Sequence, residues 1–167
     1  MSVEQALFYP LAILSTLGAL GVVLAKNPLH GALWLVCSFF FLAAIYVVLG
    51  AHLVGILQII VYAGAIMVLF LFVIMLLALS EADLGERKVT LFKILGGAAA
   101  LSGIGIAARL VFAAPPQTAL RPIPADFGTV AAVGRTLFTE FPLQFEAVSL
   151  LLLVAIAGAV VVAKARI

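Results

Sequence analysis

The chain has 167 residues, of which 66% are hydrophobic and 10% charged, and its formal net charge is +2. That composition excludes an ordinary soluble domain, and basic residues scattered at segment ends exclude a nucleic-acid surface or a site for an acidic substrate. A single cysteine, Cys37, excludes an internal disulfide and reads as a small buried hydrophobe.

Between Gln5 and Ser80 the only formal charge is Lys26. A helix crosses the roughly 30 Å hydrocarbon layer with about 20 apolar residues, so this stretch predicts an all-α membrane protein. Five transmembrane helices are expected, at residues 6–25, 29–50, 54–79, 91–113 and 143–163, within a single membrane domain covering 1–167. The first follows Glu4, with no lysine or arginine before it and no cleavage site after it, and is expected to be a retained span instead of a signal peptide. Lys26-Asn27-Pro28 ends it and presets the second, because proline suits a first turn. Gly50-Ala51-His52 is a very short link, which makes the second and third spans antiparallel neighbours. His30 and His52 lie at opposite ends of the second span, roughly 33 Å apart along a helix, and cannot share a metal. They read as interfacial groups bonded to backbone or water.

The third span gathers Gln58, Tyr62 and Gly64 near its middle. As a straight helix it measures about 39 Å, longer than the layer, so it must tilt, protrude or change its winding. Gly64 between Ala63 and Ala65 admits two readings, small-residue packing or a π-bulge serving as a rotating hinge, and composition does not choose between them. Gln58 and Tyr62 are four apart and share a face, from which an amide and a phenol reach polar groups on a neighbouring subunit. Other small residues at helical spacing, Gly18, Gly21 and Ala25, Ala99 and Gly103, Ala155 and Ala159, suit helix association in lipid.

Residues 81–88 hold the one dense charge cluster and mark an aqueous loop. Lys93 and Arg109 sit near the ends of the fourth span, where long side chains snorkel. The loop at 114–142 contains Pro115, Pro116, Pro122 and Pro124, then a run at 129–138 that suits a short surface helix. Glu146 carries two readings: an acid on an intramembrane path, or an interfacial anion favoured by a helix N-terminus. Lysine and arginine divide six (Lys26, Arg87, Lys88, Lys93, Lys164, Arg166) to three (Arg109, Arg121, Arg135), which predicts a periplasmic N-terminus and a cytoplasmic C-terminus. There is no phosphate-binding glycine loop, clustered metal ligand set or nucleophile elbow. With no acid inside the first three spans, an unaided proton path is not expected.

The string at 58–77, QIIVYAGAIMVLFLFVIMLL, preceded by NPLHGAL at 27–33 and LGA at 49–51, resembles the subunit J family of bacterial NADH:quinone oxidoreductase, respiratory complex I, counterpart of mitochondrial chain 6. The segment at 145–159, FEAVSLLLLVAIAGA, resembles that family's last span. The resemblance implies a subunit of the bacterial inner membrane with no catalytic centre, cofactor or metal of its own. NADH, FMN, iron–sulfur clusters and quinone would be held by other subunits. Implied partners are the small core subunits A and K, the subunit at the quinone site, the antiporter-like subunits and the lipid bilayer. The third span would hold a π-bulge at 62–68 whose formation and loss couples quinone reduction to proton translocation. On this reading the coupling residues are Tyr62, Gly64, Ala65, Met67, Val68 and Phe70, and the polar-path candidates are Gln58 and Glu146. Some relatives carry glutamate where this chain has Gln58, and an amide cannot relay a proton near neutral pH. Two other readings stand beside this one, a small homo-oligomeric transporter built around Glu146 and a purely structural membrane subunit.

Overall fold

In the computed structural model, which describes residues 3–77, 91–113 and 124–164, apolar segments separated by a few helix-stopping residues form six helices and no strand among the described residues. They are α1 (Val3–Leu24), α2 (Pro28–Val48), α3 (His52–Leu77), α4 (Leu91–Ala113), α5 (Val130–Thr139) and α6 (Pro142–Ala163). The helices α1, α2, α3 and α6 are each long and apolar enough to cross a bilayer, which makes this a multi-pass membrane protein. The bounds differ from the expected spans by up to three residues. The charge cluster at 81–88, the loop residues Pro115, Pro116, Arg121 and Pro122, and Arg166 lie outside the described residues. The chain divides into two compact units, residues 1–76 with 124–167, and residues 77–123, whose described part is Leu77 and the 23-residue helix α4.

The α1–α2 hairpin begins at a cap. Asn27 is extended, its side chain accepts a hydrogen bond from the Leu29 amide at 2.9 Å, and Pro28 fills the first helical position, where no N–H is needed. Bare glycines then let the two helices approach. A Cβ on Gly18 would lie 3.0 Å from the Ser38 side chain, and one on Gly21 would lie 2.6 Å from the Trp34 ring. Where the backbones come close, serines bond across: the Ser38 hydroxyl donates to the Ser15 carbonyl at 3.0 Å. Such bonds between helices in lipid contribute about 0.6 kcal/mol on average.

The turn from α2 to α3 is a Schellman motif. Gly50, at φ +76°, donates to the Val47 carbonyl, and Ala51 donates to the Tyr46 carbonyl, satisfying two orphan carbonyls of α2. Ala51 offers no side-chain cap to α3. A distant backbone does that work, because the Leu53 amide donates to the Gly128 carbonyl at 3.0 Å. Gly128 is buried, adopts φ +70°, and has no room for a Cβ, which would fall on the Gly50 carbonyl oxygen. Thr129 follows as the cap of α5, its hydroxyl accepting from the Ala132 amide. After α5 only Glu140 and Phe141 intervene before Pro142 opens α6.

Candidate functional site

The third helix is not uniformly wound. It is α over His52–Leu57, π over Gln58–Ile66 and α again over Met67–Leu77. At the end of the wide turns the Met67 amide reaches back five residues to the Tyr62 carbonyl, the bond that defines a π-helix. The winding leaves a signature in the burial. Gly55, Gln58, Ala63 and Met67 are the buried residues of this helix, and the step from Gln58 to Ala63 is five, where an α-helix would step three or four. One residue has been inserted into the turn, and every side chain beyond it is displaced by about 100° around the axis.

The first half of α3 is pressed onto α2. A Cβ on Gly55 would sit 3.0 Å from the Ala43 carbonyl oxygen and 3.0 Å from a Val47 methyl. Farther along, Tyr62 meets Phe39 of α2 edge to face, with ring centroids 5.9 Å apart. Gln58 is only 7% exposed. Its burial comes from α2, since the π segment touches no other helix among the described residues.

The expected coupling residues separate into two groups. Tyr62, Gly64 and Ala65 lie within the π segment, whereas Met67, Val68 and Phe70 follow it in α winding; the wide turns thus start and end earlier than the expected 62–68. Met67 is buried, while Tyr62, Ala65, Val68 and Phe70 are exposed on this chain. Gly64 lies in the π segment and packs against no other helix of this chain among the described residues. A Cβ there would meet one neighbour, the Ile59 carbonyl oxygen of its own helix at 3.3 Å, and no atom of another helix. Within this chain, then, the close contact with another helix falls at Gly55 and not at Gly64. Sequence reasoning passed over Gly55 and Gly128, since neither lies in a small-residue repeat and both partners are distant in sequence.

Glu146 sits on the second turn of α6, exposed, with the Ser149 hydroxyl donating to its backbone carbonyl at 2.7 Å. Among the described residues α6 touches only α5, so Gln58 and Glu146 are not brought together. His30 and His52 are exposed and stand at the two ends of α2.

Chemically, this is a site without a nucleophile, a metal ligand set or a titrating pair among the described residues. What it offers is a buried amide, a phenol and a helix with a π-wound segment. Relatives of known kind share its sequence. The chain is 39% identical to the NADH-quinone oxidoreductase subunit J of Rhodobacter capsulatus, over 96% of this chain and 81% of that protein. It is 33% identical to the chloroplastic NAD(P)H-quinone oxidoreductase subunit 6 of Staurastrum punctulatum, over 99% and 93% of the two chains. It is 32% identical to the F(420)H(2) dehydrogenase subunit J of Methanosarcina mazei, over 98% and 92%. Residues 18–162 match the family described as NADH-ubiquinone/plastoquinone oxidoreductase chain 6, and with these relatives beside that match, the chain belongs to that family.

Proposed function

We propose that this chain is a non-redox subunit in the membrane arm of a proton-pumping NADH:quinone oxidoreductase of a bacterial inner membrane, and that it couples quinone reduction to proton movement by changing the winding of α3. The five-residue step in the buried line of α3 carries the reading. If the inserted residue were withdrawn into regular α winding, the line through Gly55 and Gln58 would run on to Tyr62 and Ile66 in place of Ala63 and Met67. A phenol would replace a methyl group beside α2. Val68 and Phe70 would rotate with the inner half of the helix and exchange the bulk that faces a polar path in the neighbouring subunits.

The outer end of α3 supports this division of labour. Gly55 is wedged against α2 and the Leu53 amide is held by Gly128, so a change of winding is expressed beyond Gln58. Gln58 acts here as a hydrogen-bonding group and not a proton carrier, because an amide neither gains nor loses a proton near neutral pH. Glu146 lies on a span remote from the π segment and belongs to a contact with a partner or to the interface.

Five crossings complete the architecture. Gly50 and Gly128 touch, so both lie at one face of the bilayer, and α3 leaves that face. The chain must cross back an odd number of times before residue 128, and α4 is the helix available. With the lysine and arginine count, this supports a periplasmic N-terminus and a cytoplasmic C-terminus.

NADH, FMN, iron–sulfur clusters and quinone belong on other subunits in this reading. The neighbours are the small core subunits A and K, the subunit at the quinone site and the antiporter-like subunits. The names of the three relatives include different electron donors, which supports a role independent of the donor. Extraction of native membranes in mild detergent is the test. Co-migration with a large complex that oxidises NADH is the expected result, and isolation as a small homo-oligomer would overturn the reading.

A further inference from the structure

We propose that α5 is an interfacial helix, bedding its apolar face into the acyl–headgroup boundary of the bilayer; this stands apart from the coupling role. Val130, Val133, Gly134, Leu137 and Phe138 fall at i, i+3, i+4, i+7 and i+8 and form one stripe along α5, while Arg135, Thr136 and Thr139 fall opposite. Both ends of the helix are tethered at the membrane surface. Gly128 is bonded to the start of α3, just past the turn that joins two spans, and α6 begins two residues after Glu140 takes the cap position. A helix of ten residues, about 15 Å long, cannot leave the interface between such anchors.

The protein half-covers the middle of the stripe, at Val133, Gly134 and Leu137, and leaves its two ends bare. Val130 is 64% and Phe138 61% exposed, and a Cβ on Gly134 would meet nothing within 4 Å. The stripe also runs onto a membrane span: the Phe138 ring lies edge-on to Phe145 of α6, centroids 4.8 Å apart, and no residue of α6 is buried within this chain. Lipid that meets α6 at Phe145 would meet α5 at Phe138 as well. Charge does not hold the helix down, because residues 124–141 carry Asp126 and Glu140 against Arg135, a net charge of −1. Apolar burial is the whole driving force, unlike the basic amphipathic helices that seek anionic lipid.

Nitroxide labels on single cysteines test this in the intact assembly, in a Cys37→Ala background, reconstituted in phosphatidylcholine nanodiscs with and without phosphatidylglycerol. Val133→Cys and, as a second probe, Val130→Cys should be several-fold more accessible to oxygen than to a water-soluble nickel chelate. Thr136→Cys should show the reverse, and the anionic lipid should change neither. Nickel access at both stripe positions would mean that water covers the face, and shielding from both reagents would mean that protein covers it. Either result overturns the proposal.

Discussion

Gly64 is the residue at which winding and sequence meet most closely. Its missing Cβ spares the Ile59 carbonyl oxygen a 3.3 Å contact, tighter than most Cβ atoms make, and a β-branched side chain would add a second carbon to that crowding. Overpacking of this kind costs about 1–3 kcal/mol, which corresponds to a roughly 5- to 150-fold shift in the ratio of the two windings. Gly64→Val is therefore expected to assemble normally and to lose most of its proton pumping, measured as proton uptake by inverted membrane vesicles oxidising NADH. Undiminished pumping by the assembled variant would remove Gly64 from the mechanism. Residue chemistry was legible here only in part. Polar groups and a glycine mid-span point to this helix, but a π turn and a packing glycine have the same composition, and the burial step from Gln58 to Ala63 is what tells them apart. Gly21 was readable as a small residue, yet its partner, the Trp34 ring, is set by how α1 and α2 dock.

Among the helices, starts are carried well by local sequence and long-range caps poorly. Asn27 and Pro28 announce the start of α2 because both act locally, one as a cap and one as a first-turn residue. The cap of α3 is a carbonyl 75 positions away, from Gly128 to Leu53, and nothing in the local sequence of α3 signals it. This clamp makes a prediction of its own. Gly128→Ala places a Cβ on the Gly50 carbonyl and asks alanine to hold φ +70°, costing about 1–3 kcal/mol. The Leu53 amide should then exchange its hydrogen at least several-fold faster in hydrogen–deuterium exchange of the intact assembly, with the α1–α2 hairpin unchanged. Equal exchange in both forms would show that the contact does not hold the end of α3.

Across the full chain, composition alone is enough for an all-α membrane protein, since few charges and long apolar runs leave no aqueous alternative. What composition does not reveal is how little the helices bury in one another. The span α6 has no buried residue, so its surface is meant for lipid and companions, a matter for the assembly and not for this chain. Topology is open to direct measurement. If α4 is a fifth crossing, the two termini lie on opposite sides, and a thiol reagent that does not cross membranes should label a cysteine at the N-terminus in spheroplasts and one at the C-terminus only in inverted vesicles. Labelling of both from the same side would remove α4 as a crossing.

If α3 must change its winding for protons to move, then a removable lock on that helix should stop them. Phe39→Cys and Tyr62→Cys, in a Cys37→Ala background, would be bridged by a short cleavable bis-thiol reagent across the contact now made by the two rings, where α2 and the π segment meet. Proton pumping by the assembled enzyme should fall by an order of magnitude or more when the bridge closes and return when it is cleaved, relative to the unbridged double variant. Full pumping with the bridge closed would rule out a winding change as the coupling step.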